Sequence, residues 1–379
     1  MPNQIPFNRP FSTDRELQYM QESVLRRQYS GDHAFTKKCH DLLRRMTGAD
    51  HVLLTTSCTA ALEMAAILCD LSPGDEVIVP SYTFVSTANA VALRGAVPVF
   101  VDIREDTLNI DERMIEAAIT KRTRAIFVVH YAGVACEMNT IMDIASRHRL
   151  RVVEDAAQAI CSKYNGKSLG TIGDMGAFSF HETKNIICGE GGAFISNDKQ
   201  LSERAEIIRE KGTNRSQFFR GQVDKYTWVD IGSSFLPSDI LAGFLLAQLE
   251  SVAYIQSQRK RVFDRYMLGL SRLADFGAVK LPTIPAGCEP NYHMFYLLAP
   301  SLDIRTKLLD HLKRNGIGAV FHYVPLHGSP VGKRFGYHDD DLAVTQSISE
   351  RLIRLPLFVE LTNQEVDHVV ASVTGFFKA

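Results

Sequence analysis

The sequence predicts an α/β protein in which a mostly parallel, seven-stranded sheet lies between helices and a smaller α+β domain follows. Short runs rich in β-branched residues alternate with helical stretches from residue 52 to about residue 197, which is typical of a parallel sheet covered on both faces. The chain of 379 residues also exceeds the roughly 250 to 300 residues at which a single hydrophobic core stops growing. We therefore expect two domains.

Seven strands are expected in the first part of the chain, at 52–55, 76–80, 97–103, 125–131, 151–154, 176–180 and 192–196. Between them, apolar residues recur at helical spacing, for example Ile141, Ile144 and Ala145, and predict covering helices. From Ser238 to about Leu270 the apolar periodicity is nearly unbroken and predicts one extended helix leading out of the large domain.

A cluster of turn-forming residues then predicts a linker: Pro282, Pro285, Gly287 and Pro290. Beyond it we expect a strand at 292–298, a helix at 305–313, a strand at 319–323, and helices near 341–354 and 363–377. The predicted domains are residues 1–245, which form the large α/β domain, and residues 246–379, which form the connecting helix and a small α+β domain.

Charge and composition exclude several classes of protein. Lys and Arg number 42 against 43 Asp and Glu, a formal net charge of −1, whereas nucleic-acid binding relies on clustered positive charge. The start of the chain has no secretory signal pattern, and no run of about 18 apolar residues occurs. The seven cysteines show no C-x-x-C pair and no Cys/His spacing that suits zinc. We expect a cytoplasmic protein with no nucleic-acid partner, no membrane segment and no metal site.

Ser57, Cys58 and Thr59 form a hydroxyl-rich turn between a predicted strand and an Ala-rich helix. The free N–H groups and the positive dipole end of such a helix suit a phosphate. An ordinary Ser/Thr helix cap would give the same pattern. Neither glycine-rich motif that binds dinucleotides or nucleoside triphosphates is present.

Two further segments place charged side chains at strand ends. Asp155 ends an apolar run at the position where open α/β sheets bind ligands, although an acid that caps a following helix would look the same. Lys184 lies in a polar turn between Phe180 and the glycines at 189, 191 and 192. A desolvated lysine is a usable amine nucleophile, whereas most loop lysines are solvated.

Together the three features predict a site for pyridoxal 5′-phosphate (PLP). Asp155 would pair with the pyridinium nitrogen and keep the ring an electron sink, Lys184 would form the Schiff base, and the turn at Ser57 would hold the phosphate. A purely structural explanation would need three separate coincidences: a helix cap at the Ser57 turn, a second helix cap at Asp155 and a solvated lysine at Lys184.

The sequence resembles the DegT/DnrJ/StrS-type sugar-nucleotide aminotransferases over nearly its whole length. The segments that carry the resemblance are Pro80-Ser81-Tyr82-Thr83-Phe84, Glu154-Asp155-Ala156-Ala157-Gln158, Phe178-Ser179-Phe180-His181 with Lys184-Asn185, and Gly189-Glu190-Gly191-Gly192. The resemblance implies the fold-type-I aminotransferase architecture and PLP as cofactor, with pyridoxamine phosphate (PMP) as the stored amine. It also implies a homodimer with shared active sites that acts on a nucleotide-sugar substrate and glutamate.

The resemblance also implies roles for individual residues. Lys184 would form the Schiff base and move the proton between Cα and C4′ of the cofactor. Asp155 would be the pyridinium partner, Gln158 would lie beside the ring hydroxyl, and Phe84 would stack on the ring face. The residues implied to bind the phosphate are Ser57, Cys58, Thr59 and Ser179.

One position departs from the family pattern. Many members have an asparagine after the segment Ile231-Gly232 that reaches the neighbouring subunit's phosphate, where this chain has Ser233 and Ser234. Ser234 can donate a hydrogen bond, but over a shorter reach. The residues implied to bind substrate are His181, His322 and Tyr323. For His322, a histidine satisfied within the small domain is the alternative.

The segments 130–138 and 209–228 resemble family members that aminate C4 of a dTDP-linked deoxysugar. They imply conversion of dTDP-4-keto-6-deoxy-D-glucose to dTDP-4-amino-4,6-dideoxy-D-galactose with L-glutamate as amino donor. The alternatives are a 4-amino gluco product, a 3-amino product, and a non-catalytic regulatory relative. The dehydratase branch of the same fold has a histidine where this chain has Lys184, which argues against that branch.

Overall fold

The computed structural model describes residues 4–378. Met1, Pro2 and Asn3, which begin the segment predicted to carry no secretory signal, and Ala379, which ends the predicted small domain, lie outside the described residues. The helices are α1 (Arg15–Leu25), α2 (Ala34–Thr47), α3 (Cys58–Leu68), α4 (Val85–Ala92), α5 (Glu112–Ile115), α6 (Met138–His148), α7 (Lys199–Arg209), α8 (Arg215–Phe219), α9 (Asp239–Glu250), α10 (Val252–Asp275), α11 (Leu302–Arg314), α12 (Ala343–Arg351) and α13 (Asn363–Lys378). The strands are β1 (His51–Thr55), β2 (Glu76–Pro80), β3 (Val97–Val101), β4 (Thr123–Val129), β5 (Arg151–Asp155), β6 (Lys163–Tyr164), β7 (Lys167–Ser168), β8 (Met175–Ser179), β9 (Gly192–Ser196), β10 (Cys288–Glu289), β11 (Phe295–Leu298) and β12 (Leu352–Leu355).

The largest sheet has seven strands in the order β1-β9-β8-β5-β4-β2-β3. Strand β9 runs antiparallel to its neighbours β1 and β8, and the other neighbouring pairs are parallel. The predicted α/β fold, with a mostly parallel seven-stranded sheet and helices, is therefore confirmed. Each strand of this sheet begins within about two residues of its predicted position, which is within the usual uncertainty of element boundaries.

Apolar side chains cover both faces of this sheet. Along β4, Ile126 and Val128 pack in one hydrophobic cluster, while Ala125 and Phe127 pack in another, and all four are fully buried. Because successive strand residues point to opposite faces, a continuous apolar run is what a sheet buried on both sides requires.

The single extended helix predicted from Ser238 to Leu270 is wrong. The structure has two helices there, α9 and α10, which bend by 60° at Ser251. The Ser251 hydroxyl donates a hydrogen bond to the carbonyl of Ala247, one turn earlier, and such back-bonding bends helices. Within residues 4–378 no single helix is long and apolar enough to cross a membrane. The bent pair α9 and α10, taken together, has the length and the apolar composition of a membrane span, and these are the only two properties that suggest one.

Two predictions for the C-terminal part are also wrong. The segment 319–323 forms no strand, because only Val320 pairs, with Arg354 of β12. The helix predicted at 341–354 ends early, at the end of α12, and the following residues form β12, which pairs with β11. The change follows from tertiary pairing, because all four residues of β12 pair with β11 in antiparallel register.

A third hydrophobic cluster joins β11 and β12 to the helices α10, α11 and α13. Its most buried aromatic members are Tyr266 of α10 and Phe295 of β11, whose ring centroids lie 4.9 Å apart. Strand β11 is shorter than predicted and begins at Phe295. The small sheet β10-β6-β7 was not predicted from the sequence, because its strands have only two residues each.

Candidate active site

A cavity of about 650 Å³ lies at the carboxyl ends of the parallel strands. Val129, Asp155 and Ser179, the last residues of β4, β5 and β8, all line it, as expected for a ligand site in an open α/β sheet. The other residues that line the cavity and were predicted from the sequence as site residues are Ser57, Cys58, Thr59, Phe84, Gln158, His181, Lys184, His322 and Tyr323.

The N-terminus of α3 forms one end of the cavity lining. Ser57 caps this helix, because its hydroxyl accepts a hydrogen bond from the backbone N–H of Ala60 at 3.0 Å. The backbone N–H groups of Cys58 and Thr59 lie in the first turn and have no partner within the helix. The predicted helix cap is therefore present, and it leaves donors and a positive dipole end available to an anion.

Gly192, the first residue of β9, allows that strand to pass directly behind the α3 turn. A Cβ atom at this position would lie 2.4 Å from the backbone nitrogen of Cys58 and 2.4 Å from the carbonyl carbon of Ser57. Any other residue here would push the turn away from the sheet, so glycine keeps the anion-binding turn in place.

Asp155 is a buried carboxylate without a hydrogen-bonded cation among residues 4–378. It accepts hydrogen bonds from the Thr87 hydroxyl at 2.7 Å and from the backbone N–H of Ala157 at 3.0 Å. Burial raises the pKa of Asp155, and these hydrogen bonds and the charge of Lys184 oppose the rise. No helix lies between β5 and the next strand, β6, so the alternative of an acid that caps a following helix is wrong.

Glu154, the preceding residue, points to the other side of β5. Its carboxylate accepts hydrogen bonds from the backbone N–H groups of Gly170, Ile172 and Gly173 and from Nε2 of His130, at 2.6 to 2.8 Å. The two adjacent acids thus have separate surroundings, because strand side chains alternate. Glu154 organises the loop that leads into β8, and Asp155 faces the cavity.

Lys184 lies in the tight turn between β8 and β9, where its backbone N–H donates to the carbonyl of His181 at 2.9 Å. Burial lowers the pKa of the Lys184 amine, and the charge of Arg354 lowers it further, while Cys58 and Asp155 act in the opposite direction. A lowered pKa increases the fraction of neutral amine, which is the form that acts as a nucleophile and as a base.

Aromatic and amide side chains line the space between these charged groups. Phe84 is 57% exposed although it borders the cavity, and its ring centroid lies 6.4 Å from that of Tyr323. Gln158 accepts a hydrogen bond from the N–H of Ala132 at 2.7 Å and donates one to the Tyr323 hydroxyl at 3.0 Å. An exposed aromatic face beside fixed polar groups is suited to a planar ring.

Ser179 and His181 lie side by side at the end of β8. The Ser179 hydroxyl accepts a hydrogen bond from the backbone N–H of His181 at 3.4 Å. The His181 ring hydrogen-bonds to the Thr183 hydroxyl at 2.9 Å and approaches the carboxylate of Glu190 at 3.6 Å. His181 is partly buried and lies at the edge of the cavity.

His322 reaches the cavity from the segment after Val320. Its Nδ1 atom lies 2.9 Å from the hydroxyl of Tyr131, and its carbonyl accepts a hydrogen bond from the hydroxyl of Tyr82. Burial, followed by the charges of Arg354 and Lys184, lowers the pKa of His322 to about 2. His322 is therefore neutral at working pH, and it both has a protein partner and lines the cavity.

Ser234 does not line the cavity of its own chain. It is exposed, and its backbone pairs with Glu210 in an isolated bridge. Its predicted contact with a neighbouring subunit's phosphate stays a prediction.

Several lining residues were not predicted from the sequence: Phe7, Asn8, Arg259, His293 and Arg354. The one available signal was Arg354, a single charged residue within the apolar run Leu352-Ile353-Arg354-Leu355. Phe7 and Asn8 gave no signal, because the cavity joins segments that are far apart in the sequence.

The cavity fits PLP on the evidence of its own residues. Asp155 is a buried acid that lacks a bonded cation in the described chain, which suits a pyridinium nitrogen. The first turn of α3, kept in place by Gly192, suits a phosphate. Lys184 supplies an amine of lowered pKa between them in the same lining.

Solved structures specify the class of protein. Spr1654 from Streptococcus pneumoniae, described as a sugar aminotransferase, matches in its PLP form with a TM-score of 0.91 and 26% identity over 99% of both chains. Its PMP form matches with a TM-score of 0.91 and 26% identity, over 99% of this chain and 98% of that chain. The fold is that of a fold-type-I aminotransferase, and the predicted cofactor, PLP with PMP as its aminated form, is confirmed.

The sequence comparisons then specify the family. The model of the DegT/DnrJ/EryC1/StrS aminotransferase family matches residues 12–374, and the chain belongs to that family. It is 33% identical over 342 residues to the spore coat polysaccharide biosynthesis protein SpsC of Bacillus subtilis, which covers 87% of this chain and 86% of SpsC. The chain is thus a sugar aminotransferase of this family.

Proposed function

We propose that the enzyme transfers the amino group of L-glutamate to C4 of dTDP-4-keto-6-deoxy-D-glucose and forms dTDP-4-amino-4,6-dideoxy-D-galactose. The observation that carries the chemistry is the joint placement of Lys184, Asp155 and the α3 N-terminus around one cavity. The choice of substrate rests on the resemblance of residues 209–228 to the dTDP-4-amino-4,6-dideoxygalactose transaminases of this family.

Bound PLP supplies an electron sink for the charge that develops when a proton leaves the carbon next to the transferred nitrogen. Asp155 would keep the proton on the ring nitrogen, and the first turn of α3 would hold the phosphate. Lys184 would hold the cofactor as its Schiff base and, once its amine is free, would move the proton between the substrate carbon and C4′ of the cofactor. The face on which Lys184 delivers this proton sets the configuration at C4 of the sugar.

We also propose a homodimer in which each subunit completes the other's site. The segment 209–234, which contains α8, exposes large apolar side chains. Phe219 and Trp228 are two of them, and Trp228 is 76% exposed within the described residues 4–378. Exposed apolar groups of this kind mark interfaces. Ser234 lies at the end of the same segment and would reach the partner's phosphate site.

The sugar substrate fits a role in polysaccharide biosynthesis at the cell surface, such as that of lipopolysaccharide or the enterobacterial common antigen, and the name of SpsC supports a role of that kind. In this proposal residues 1–245 bind the cofactor, residues 246–379 cover it, and the enzyme is cytoplasmic.

The product decides between the proposed reaction and its alternatives. Wild-type enzyme is incubated with glutamate and, in separate reactions, with a 4-keto and a 3-keto sugar nucleotide, and the purified product is examined by NMR. Small proton couplings at H4 mark the axial amine of the galactose product. Large couplings at H4, or an amine at C3, would replace the proposed product with the 4-amino gluco or the 3-amino alternative.

The non-catalytic alternative is tested separately. The purified protein is expected to be yellow, and glutamate should shift its visible absorbance. A protein that binds PLP but shows no shift with glutamate would be a binding relative and not an enzyme.

A further inference from the structure

Thr87 is the only side chain of residues 4–378 that hydrogen-bonds to the carboxylate of Asp155. It lies in the first turn of α4, three residues after Phe84, which precedes this helix and borders the cavity. Its hydroxyl donates to Oδ2 of Asp155 at 2.7 Å, and the backbone N–H of Ala157 donates to Oδ1 at 3.0 Å. Thr87 is fully buried and does not itself line the cavity, so it would act on a bound ligand through Asp155.

The hydroxyl of Thr87 does not bind the partner that is usual for a helical residue. The hydroxyls of Thr47 in α2 and Ser202 in α7, which are also buried, donate to the carbonyl four residues earlier, each at 2.8 Å. Such a bond to the preceding turn is common for Ser and Thr in helices. In the described part of the chain Thr87 makes no bond of this kind and donates instead to the end of β5. Its orientation therefore depends on Asp155.

The hydroxyl of Thr83 extends this contact into a chain. It lies 2.9 Å from the hydroxyl of Thr87, and both threonines are buried. When Asp155 is ionised, Thr87 donates to the carboxylate and accepts from Thr83, so each hydroxyl hydrogen has an acceptor. If a neutral Asp155 donated to Thr87, the chain would reverse, and the Thr83 hydrogen would have no acceptor among residues 4–378 once the cofactor fills the cavity that Thr83 lines. A buried donor without a partner is unfavourable, so the chain favours the ionised carboxylate.

The charge of Asp155 depends on this bond more than on any other group around it. Burial raises the pKa of Asp155, and the hydrogen bond from Thr87 is the largest of the effects that oppose the rise. The other groups that face this carboxylate are the backbone N–H of Ala157, the amine of Lys184, and the side chains of His130, Cys58 and Tyr323.

We propose that Thr87 is a positioning residue for the cofactor: through Asp155, its hydroxyl keeps the proton on the ring nitrogen. The inference rests on the proposed function, because it requires Asp155 as the partner of that nitrogen. A proton shared between a ring nitrogen and a carboxylate lies with the more basic of the two. The hydrogen bond from Thr87 makes the carboxylate the weaker base, so the ring stays protonated and remains an electron sink.

The test observes this proton directly. PLP that carries ¹⁵N at the ring nitrogen is bound to wild type and to Thr87→Val, which keeps the shape of the side chain without its hydroxyl. The ¹⁵N NMR spectrum distinguishes a protonated from a neutral ring. We expect the wild-type resonance at the pyridinium position and that of Thr87→Val displaced toward neutral pyridine, because a lost hydrogen bond to a charged group changes the distribution of the proton about tenfold or more.

The same proteins are compared in the two half-reactions, followed by cofactor absorbance with glutamate and then, from the PMP form, with the keto-sugar nucleotide. Thr87→Val should slow the maximal rate of both about tenfold, since both need the electron sink, and leave the concentrations for half-saturation within about threefold. Thr87→Ser, which keeps the hydroxyl, should retain the wild-type resonance and a rate within about threefold of wild type. Thr83→Val should shift the resonance less than Thr87→Val, because its hydroxyl is one bond further from the carboxylate.

Thr47→Val is the matched control, because it removes a buried helical hydroxyl that bonds to Leu43 outside the cavity. It should behave as wild type in both measurements. Circular dichroism and retained cofactor absorbance show that the variants are folded. If Thr87→Val does not fold or does not bind PLP, Thr83→Val decides in its place, and a resonance at the wild-type position would then overturn the proposal.

An unchanged ¹⁵N resonance in Thr87→Val would overturn the proposal whatever its rate. An equal loss of rate in Thr87→Val and Thr87→Ser would also overturn it, because the hydroxyl would not be the cause. If the ring nitrogen of wild type carries no proton, the proposed role of Asp155 fails together with that of Thr87. A protonated nitrogen in a wild-type protein that shows no absorbance change with glutamate would refute the proposed enzyme activity alone.

Discussion

Asp155→Asn should change the stability of the apoprotein and that of the PLP-bound protein in opposite directions. Burial raises the pKa of Asp155 above the value of about 3.9 expected in the unfolded chain. A group of this kind favours the folded state below its unfolded pKa, and the contribution is lost as the pH rises through the folded pKa. At pH 7 the raised pKa of Asp155 therefore makes the folded apoprotein less stable than it would be with a side chain that does not titrate, such as asparagine.

Asparagine can retain the local hydrogen bonds. Its oxygen can accept from the N–H of Ala157, and its NH₂ group can donate to the hydroxyl of Thr87, which in turn lies 2.9 Å from the Thr83 hydroxyl. We therefore expect the apo variant to be at least as stable as apo wild type at pH 7. The reason is that burying a charged carboxylate costs more folding free energy than burying a neutral amide.

With cofactor bound, the carboxylate should become favourable, because we propose that it pairs with the ring nitrogen. If this pairing raises the pKa of the nitrogen by two units, it contributes about 2.7 kcal/mol, and its loss reduces the protonated population roughly a hundredfold. Turnover should fall by about that factor, while cofactor affinity falls less because the phosphate contacts at α3 are intact.

The assay is thermal unfolding of apo and PLP-loaded protein at pH 7, with turnover measured on the same samples. Glu154→Gln is the control, since it alters the adjacent acid that binds loop N–H groups and should lower the stability of both forms. Unchanged turnover in Asp155→Asn, or an apo variant clearly less stable than wild type, would refute the reasoning.

Three further predictions follow from residues near the cavity and from the α2 helix. Lys184→Ala should abolish turnover with the fold intact, and borohydride treatment of the yellow wild type should label the peptide that contains Lys184; a label elsewhere contradicts the assignment. Gly192→Ala should weaken PLP binding at least about tenfold, because its Cβ would lie 2.4 Å from the Cys58 nitrogen. Cofactor titration measures this affinity, and an affinity equal to that of wild type would exclude the α3 turn as the phosphate site. Burial lowers the pKa of His40 to about 3, so the free energy of unfolding should fall between pH 6.5 and about pH 3, by up to about 1.4 kcal/mol per pH unit from this group. Urea titrations of the apoprotein should show a shallower fall for His40→Gln, and an identical pH profile would rule out His40 as a cause.

The central sheet could be predicted from the sequence because each of its strands is a short apolar run. The ends of β5 and β8 then indicated where Asp155 and Lys184 would meet, since the carboxyl ends of parallel strands share one edge of a sheet. These predictions depended on local pattern and on a general rule of topology.

The elements that could not be predicted depend on contacts between distant segments. The 60° bend at Ser251 is accompanied by a side-chain hydrogen bond to Ala247, and no glycine or proline marks it in the sequence. Val320 forms only one bridge, to Arg354, and an apolar segment with a single bridge has the same pattern as a strand. The lone charge of Arg354 in an apolar run marks it as unusual, but it does not show which distant segment, here the one with Phe7, lies against it.

The adjacent acids of β5 separate the ability to fold from the catalytic role that we propose for Asp155. Glu154 holds three loop N–H groups and His130, and Asp155 holds none of them. In evolutionary terms, a single substitution at Asp155 could therefore convert a duplicated gene into one that encodes a stable, inactive protein with the same surface. A deletion of one residue earlier in β5 would instead move each acid to the opposite face of the sheet and damage both properties at once, so point substitution, and not deletion, is the accessible route from this enzyme to a non-catalytic binding protein.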